Sequence, residues 1–468
     1  MIDLIQQHPP SAIALIESTN QTQVTYGQLS QFIDRAKSKL QTISDRSLVF
    51  LYANNTIETV VAYLSCVAAD FPVCLLEPNG TQDAIDRLTN VYQPGIILTT
   101  DSSKLSSGYT LVDSLPDSSY QIYRSSQSPT STLHPDLAVL LPTSGSTGNP
   151  KLVRLTQANL RANAASIAEY LNLSTLEIAI QSLPIHYSYG LSLINSHLHI
   201  GGSIVLTPHS FMRPEFWQDV TDYSCTSFAG VPYMYETLHR LKFDLAQYPK
   251  LKTITQAGGG LRKDIKEYFA NQAQANERNL FVMYGQTEAT ARIAYVPPDR
   301  LLDKIGSIGI PIPQGKLELS PVPDSENLYE LVYSGPNVMM GYAESAASLA
   351  EADELHGILR TGDLATVDDE GFFFLSGRLK RFAKLFGKRV SLDDIETDVE
   401  ISFDCRAAAI ESTNGLSIFV VLTSELELRT IKLHIATKLS VTPIAITVKQ
   451  LDSLPMTSSG KKDYKLLA

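Results

Sequence analysis

Short apolar segments alternate with segments of helical periodicity along the N-terminal half of the chain. In residues 28–40, apolar side chains recur at the three- and four-residue spacing of an amphipathic helix. An apolar run at 48–52 predicts a buried strand, which a predicted helix at 56–69 joins to a second strand at 72–76. This alternation favours a parallel sheet covered by helices, and therefore an α/β fold. The pattern continues through predicted strands at 95–98, 138–141 and 202–206 and a predicted helix at 157–171.

Length and charge limit the possible functions. The chain has 468 residues, which is enough for two or three domains, and its 44% apolar and 19% charged residues are typical of a globular protein. Its formal net charge is −11. Because nucleic acids and anionic membranes attract positive surfaces, we expect neither of them as a partner.

The cysteines and the N-terminus favour a cytoplasmic enzyme. The four cysteines form no Cys-x-x-Cys pair and no zinc-site spacing, so we expect buried free thiols in a reducing compartment. Residues 1–4 do not begin a signal peptide, and no uninterrupted apolar stretch is long enough to predict a membrane-spanning helix. Residues 102–132 are rich in Ser, Asp and Pro and are predicted to be a surface connection.

A run of hydroxyl and glycine residues is the most distinctive local feature. It follows the apolar residues 137–141 and ends in Pro150 and Lys151. Glycines allow backbone N–H groups to turn toward an anion, and a lysine adds a charge suited to phosphate. The run lacks the Walker A spacing, and a flexible linker is the alternative interpretation. The run consists of Thr143, Ser144, Gly145, Ser146, Thr147 and Gly148.

Three further motifs carry chemistry, although each alone has a simpler interpretation. Tyr284–Glu288 follows an apolar strand and offers an aromatic face, a hydroxyl and a carboxylate, which could stack a base, bind a phosphate and hold Mg²⁺. The alternative interpretation is a structural turn. Asp363 follows a tight turn and is suited to accept hydrogen bonds from ribose hydroxyls, with Arg378 nearby. The alternative interpretation is a hairpin turn with a solvated carboxylate. Lys461 lies beside a glycine near the C-terminus, where it can reach an active site or belong to a frayed end.

Together and in this order, these motifs resemble the adenylate-forming superfamily, which includes acyl- and aryl-CoA synthetases, amino-acid adenylation domains and firefly luciferase. The resemblance covers nearly the whole chain and includes 306–309 and 335–342. It implies a large N-terminal domain with parallel α/β sheets and a distorted β-barrel, followed by a small mobile α+β domain. A change in character near 377–381 sets the boundary, giving domains at 1–379 and 380–468 with Lys380 as the hinge.

The resemblance also implies residue roles. The Thr143–Gly148 run and Lys151 would close over the β- and γ-phosphates of ATP. Lys461 would catalyse adenylation, and Lys384 would act in the second half-reaction. The remaining residues implied in nucleotide, Mg²⁺ or acid binding are Gly258, Gly259 and Gly260 against adenine and the acyl group, Tyr284 and Gly285 at adenine, Thr287 at the α-phosphate, Glu288 at Mg²⁺, and Asp363 and Arg378 at ribose.

Residues 183–191 bear on the acid. Adenylation domains place an Asp near the position of His186 to pair with an α-ammonium, whereas CoA ligases usually have His, so an α-amino acid is disfavoured. Tyr189 and Gly259 are the other predicted pocket residues, and a His satisfied in the core is the alternative for His186. Asn337 departs from the usual apolar or small residue.

The resemblance predicts an ATP- and Mg²⁺-dependent ligase that converts a small carboxylic acid to an acyl-adenylate and passes it to a thiol. Coenzyme A and the phosphopantetheine arm of an acyl or peptidyl carrier protein both remain open as acceptors. A basic cluster near the hinge is a candidate surface for either acceptor, and a solvated structural cluster is the alternative interpretation. The alternatives are an amino-acid adenylation enzyme, a ligase acting on an amine, or a catalytically dead nucleotide-binding relative. The cluster comprises Arg378, Lys380, Arg381, Lys384, Lys388 and Arg389.

Overall fold

The computed structural model describes residues 5–127, 132–142, 151–323, 327–379, 381–385, 388–412, 415–422, 428–439, 441–456 and 462–467. Its α-helices are α1 (Tyr26–Ile43), α2 (Ile57–Ala68), α3 (Gln82–Tyr92), α4 (Gln157–Tyr170), α5 (Ser188–Ile200), α6 (Pro214–Asp222), α7 (Pro232–Arg240), α8 (Lys263–Ala275), α9 (Leu392–Phe403) and α10 (Leu428–Leu439).

The strands, in chain order, are β1 (Ile13–Glu17), β2 (Thr22–Thr25), β3 (Val49–Tyr52), β4 (Val73–Leu76), β5 (Ile96–Thr99), β6 (Tyr109–Ser114), β7 (Gln121–Ser125), β8 (Leu137–Pro142), β9 (Leu152–Thr156), β10 (Ile178–Gln181), β11 (Ser203–Leu206), β12 (Ser227–Gly230), β13 (Thr253–Gln256), β14 (Asn279–Tyr284), β15 (Ala294–Val296), β16 (Ile310–Pro311), β17 (Lys316–Pro321), β18 (Tyr329–Ser334), β19 (Gly341–Ala343), β20 (Ile358–Val367), β21 (Phe373–Arg378), β22 (Phe382–Leu385), β23 (Lys388–Ser391), β24 (Arg406–Ser412), β25 (Gly415–Val421) and β26 (Ile446–Gln450).

Two large mixed sheets confirm the predicted α/β fold. The first has nine strands in the order β16-β15-β14-β13-β12-β10-β11-β1-β2, and the second has eight in the order β19-β9-β8-β4-β3-β5-β7-β6. Their central pairs are parallel, as in β10/β12, β12/β13 and β13/β14 of the first sheet and β3/β4 of the second. The central strands β3, β4, β12 and β13 are fully buried because helices cover parallel sheets on both faces, and β3 and β4 are apolar throughout.

Threonine caps set the starts of three predicted helices. The Thr25 hydroxyl accepts a hydrogen bond from the Gln28 N–H, while the Gln28 side chain accepts one from the Thr25 N–H. Thr156 and Asn159 form the same reciprocal pair at the start of α4, and Thr56 caps α2. These side chains satisfy N–H groups that have no partner within the helix.

The prediction of a surface connection at 102–132 was wrong in its centre. β6 and β7 lie there and pair antiparallel at one edge of the second sheet. Tyr120 and Ile122 are buried, and the Tyr120 hydroxyl donates to the Tyr52 carbonyl at 2.6 Å. The polar composition was misleading because an edge strand needs apolar residues on only one face.

The chain divides into two compact units. The first comprises 1–305, 309–316 and 334–359, and the second comprises 306–308, 317–333 and 360–468. In the second unit, α9 and α10 pack with the three-stranded sheet β24-β25-β26 around a separate core, which gives the expected α+β character. Strands β17, β18, β20 and β21 pair in an open order, and no ring of strands closes among the described residues. Lys380 lies outside the described residues, so the hinge and the boundary at 380 stay predictions.

The described helices are all too short or too polar to cross a bilayer. The four cysteines, Cys66, Cys74, Cys225 and Cys405, are buried and form no disulfide.

Candidate active site

Four neighbouring parallel strands place the predicted pocket segments at one edge of the first sheet. β10, β12, β13 and β14 run in the same direction, so their carboxyl ends meet there. The segment with His186 follows β10, the three glycines 258–260 follow β13, and Tyr284 ends β14. Ligands of α/β sheets usually bind outside the carboxyl ends of the strands.

Side-chain contacts join these segments. The hydroxyls of Ser188 and Thr287 lie 3.3 Å apart, and those of Tyr189 and Thr255 lie 2.7 Å apart. The Gln286 amide donates to the Tyr284 hydroxyl at 3.1 Å, which fixes one edge of the ring predicted to stack on adenine. The structure therefore brings the 186–189 and 284–288 segments together, with Thr287 next to the predicted acid pocket.

The glycines of the site differ in what they require. Gly258 has a φ of +88°, and a Cβ there would lie 2.6 Å from the Tyr187 hydroxyl oxygen. At Gly259 a Cβ would lie 3.2 Å from the Pro232 ring, whereas at Gly260 it would meet no protein atom. A Cβ at Gly285 would overlap the Ala291 carbonyl. Close packing within the protein thus accounts for Gly258 and Gly285, while Gly260 is exposed and the space beside it is open.

The carboxylate of Glu288 is oriented by Tyr342, whose hydroxyl donates to its Oε1 at 2.6 Å. Burial raises the pKa of Tyr342, and the charge of Glu288 raises it further, so the hydroxyl stays protonated. Lys151 forms an ion pair with Glu344, and its Nζ lies 5.7 Å from the centre of the Tyr342 ring. The predicted phosphate lysine and the predicted Mg²⁺ ligand are therefore near neighbours.

Asn337 holds the loop that follows Thr287. Its buried side-chain amide donates to the carbonyls of Ala289 at 2.8 Å and Arg292 at 2.9 Å. The main-chain carbonyl of Asn337 accepts a hydrogen bond from the Thr290 hydroxyl at 2.7 Å. The sequence showed only that Asn337 stands where the resembled family usually has an apolar or small residue. It did not indicate which carbonyls the Asn337 amide would bind.

The described acidic residues fit a magnesium ion that is shared with a nucleotide. In the part of the chain that the structure describes, no three His, Cys, Asp or Glu side chains cluster as a metal site. Mg²⁺ usually binds one or two carboxylates together with substrate phosphates and water. Glu288 is partly exposed and already oriented by Tyr342, which suits that role.

His186 is mostly buried, and its Nδ1 donates to the Ala53 carbonyl at 3.4 Å. Burial lowers the pKa of His186, so the ring is neutral near pH 7. This contact satisfies one ring nitrogen, which keeps both interpretations of His186, as a pocket residue or as a core histidine, open.

The second unit holds the predicted ribose site. Asp363 and Arg378 face each other across β20 and β21, and Arg378 Nε donates to Asp363 Oδ1 at 2.8 Å. Asp363 is buried, while the Arg378 side chain is 60% exposed, so a ligand can reach the pair from the Arg378 side.

Several predicted site residues are outside the described part of the chain. They are Thr143, Ser144, Gly145, Ser146, Thr147, Gly148, Lys380 and Lys461. Lys384 lies on β22 opposite Arg389, and only its backbone is described.

Comparison with known proteins identifies the family. The family model described as AMP-binding enzyme matches residues 4–343. The chain belongs to the AMP-binding enzyme family. Within this family the chain is 27% identical to an oxalate–CoA ligase of Arabidopsis thaliana, over 95% of this chain and 93% of the relative. It is 28% identical to a feruloyl-CoA synthase of an Amycolatopsis species, over 70% of this chain and 68% of the relative.

The fold of this AMP-binding enzyme matches a solved structure along its length. O-succinylbenzoate coenzyme A synthetase from Bacillus subtilis, solved with ATP and a magnesium ion, superposes with a TM-score of 0.77 at 23% identity, covering 100% of this chain and 98% of that one. The predicted superfamily, fold class and enzyme class are confirmed: the chain is an AMP-forming enzyme of the acyl-CoA synthetase type.

Proposed function

We propose that this enzyme uses ATP and Mg²⁺ to convert a small carboxylic acid to an acyl-adenylate and then transfers the acyl group to coenzyme A. The observation that carries the proposal is the contact between Thr287 and Ser188, with Glu288 next in sequence and oriented by Tyr342. It places hydroxyl and carboxylate groups for a nucleotide phosphate against the segment expected to hold the acid. The relatives named as CoA ligases, and the solved synthetase that binds ATP and magnesium, support both half-reactions.

Each predicted site residue then has its own role in the adenylation step. The acid carboxylate attacks the α-phosphorus of ATP, one P–O bond forms and another breaks, and pyrophosphate leaves with its electron pair. The Thr287 hydroxyl would hold the α-phosphate beside the acid, and Tyr284 would hold the adenine. Bound at Glu288, Mg²⁺ would offset phosphate charge. Lys461 would offset the charge that develops on the reacting oxygens. Orienting both reactants in this way removes much of the entropic barrier.

Acid-dependent exchange of labelled pyrophosphate into ATP tests the first half-reaction. We expect exchange with at least one acid of a panel, and a loss of about a hundredfold or more in Lys461→Ala. Lys465→Ala is the matched control, because that side chain is exposed on the same segment and should leave exchange unchanged. Absence of exchange with every acid, or full exchange in Lys461→Ala, would overturn the assignment.

The second half-reaction is tested by supplying thiols. With the acid that supports exchange, mass spectrometry should detect an acyl-CoA thioester when coenzyme A is added. If a thioester forms only on a phosphopantetheinylated carrier protein, then that protein, and not coenzyme A, is the acceptor. Release of free acyl-adenylate, or an amide with an added amine, would favour the alternative ligase.

A further inference from the structure

Arg292 is a buried cation in the first unit. It is 4% exposed, and within the described residues no Asp or Glu forms an ion pair with it. Its Nη1 donates a long hydrogen bond of 3.5 Å to the neighbouring Ala291 carbonyl, and its Nε has no hydrogen-bond partner in the part of the chain that the structure describes. A buried charge of this kind is costly unless a counter-charge compensates it.

The surroundings of Arg292 are aromatic and neutral. Its guanidinium carbon lies 3.9 Å from the centre of the Tyr189 ring, which gives a cation–π contact. Burial raises the pKa of Tyr187 to about 12 and raises the pKa values of Tyr170 and Tyr189, while the charge of Arg292 acts in the opposite direction on all three. All three hydroxyls therefore stay protonated, and none of them supplies the missing negative charge.

Arg292 lines a cavity of about 30 Å³ that also contains unused polar atoms. The Ser227 hydroxyl and His197 Nε2 are both buried, and neither has a hydrogen-bond partner among the described residues. His197 Nδ1 donates to the Leu193 carbonyl at 2.9 Å, which leaves Nε2 as an acceptor for a protonated group or water. A cavity this size holds about two water molecules, or a group as small as a carboxylate.

The cavity adjoins the predicted acid pocket. Tyr189 and Thr255 belong to its wall, and Arg292 is four residues beyond Glu288 on the loop that Asn337 holds. A group bound at Arg292 would therefore lie beside Tyr189.

We propose that the acid substrate carries a second oxyanionic group, a carboxylate or a sulfonate, and that Arg292 binds this group at the closed end of the pocket. The inference rests on the proposed function and specifies its substrate class. A guanidinium donates two parallel hydrogen bonds to a planar carboxylate, and the Ser227 hydroxyl can add a third. Because an uncharged analogue would leave Arg292 buried and unpaired, such a site rejects it strongly.

Matched substrates test this inference in the pyrophosphate exchange assay. Malonate, succinate and glutarate are compared with their monomethyl esters, which keep the skeleton and one carboxylate, and sulfoacetate is compared with methylsulfonylacetate, which keeps the carboxylate and replaces the sulfonate by a neutral sulfone. We expect at least one dianionic acid to exceed its ester in kcat/KM by about a hundredfold or more. In Arg292→Met this ratio should fall to about one or below, and Arg292→Lys should restore part of it.

The control variant is Arg154→Met. Arg154 is an equally buried arginine, but it pairs with Glu354 at 2.7 Å, so its loss should lower stability and leave the ratio of diacid to ester unchanged. If Arg292→Met does not fold, Ser227→Ala should lower the ratio, and dianionic acids should raise the Tm of the wild type more than their esters do.

The outcomes separate the two proposals. Equal use of diacids and esters by the wild type, or an equal loss for both in Arg292→Met, would overturn the role of Arg292 and leave the ligase assignment standing. Absence of exchange with any acid would overturn the ligase assignment itself, and the substrate class with it.

Discussion

At the scale of single residues, the site depends on buried polar side chains that hold backbone loops. Asn337 is 2% exposed and satisfies two carbonyls of the loop between Thr287 and Arg292. A buried carbonyl that loses its donor retains its full desolvation cost. The residue therefore contributes to stability and also to the position of Thr287 and Glu288.

Replacing Asn337 by Ala should lower the free energy of unfolding by about 2–3 kcal/mol, because two buried acceptors lose their donors. Exchange activity should fall about tenfold or more as the loop shifts. Urea unfolding and pyrophosphate exchange measure the two effects. Asn163→Ala is the matched control, since that buried amide has no hydrogen-bond partner among the described residues, and its loss should lower the free energy of unfolding clearly less. Equal costs at the two positions would contradict the role of Asn337.

At the scale of elements, the second unit anchors the segment next to Lys461. Lys462 donates to Glu396 and Glu400 of α9, each at 2.9 Å, and to the Ala407 carbonyl of β24 at 2.6 Å. The Tyr464 hydroxyl donates to Glu396 at 3.0 Å. Burial lowers the pKa of Lys462, but the charges of Glu396 and Glu400 outweigh this and raise the pKa above its usual value, so this lysine stays charged.

Lys462→Met should release this anchor, because Glu396 and Glu400 both lose the charge of Lys462, although the buried Glu396 keeps its ion pair with Arg381. We expect exchange activity to fall about tenfold, because Lys462 is the chain neighbour of the lysine predicted to act in adenylation. Nucleotide affinity, measured by calorimetry, should change little. Lys438→Met serves as the control, since Lys438 pairs with Asp398 at a half-exposed surface site. Loss of that ion pair should lower the free energy of unfolding by less than about 1 kcal/mol. Unchanged exchange in Lys462→Met would show that the anchor does not position Lys461.

At the scale of the whole molecule, buried neutral histidines make stability depend on pH. Burial lowers the pKa of His197 to about 4, and it also lowers the pKa values of His186 and His199. In the unfolded chain a histidine binds its proton near pH 6.5. The unfolded state thus binds more protons below pH 6.5, so the stabilisation is complete above that pH and is lost as the pH falls toward 4.

For His197 alone, the free energy of unfolding should fall by about 2 kcal/mol between pH 7 and pH 5. Urea unfolding at several pH values measures this slope for the wild type and for His197→Asn. The variant keeps a donor for the Leu193 carbonyl and should show a shallower slope by that amount. Parallel slopes would mean that His197 does not differ in protonation between the folded and unfolded states.

Several elements of the first unit were predictable because each depends on local pattern. α1, α2, α4 and the strands β3, β4, β5, β8 and β11 lie within a few residues of their predicted positions, since apolar spacing and threonine caps act over one or two turns. β6 and β7 were missed because pairing at a sheet edge compensates for a polar sequence.

The motifs by themselves determined the family and the set of residues expected at the nucleotide, because their types and order are fixed by chemistry that is local in sequence. The tertiary structure alone showed that Asn337 and Tyr342 hold that site and that Arg292 lies buried with no carboxylate partner in the described ranges. A side chain's burial and partners depend on segments far away in the chain, which no local pattern encodes. For that reason the sequence indicated a carboxylic acid, and the buried charge of Arg292 was needed to infer its second anionic group.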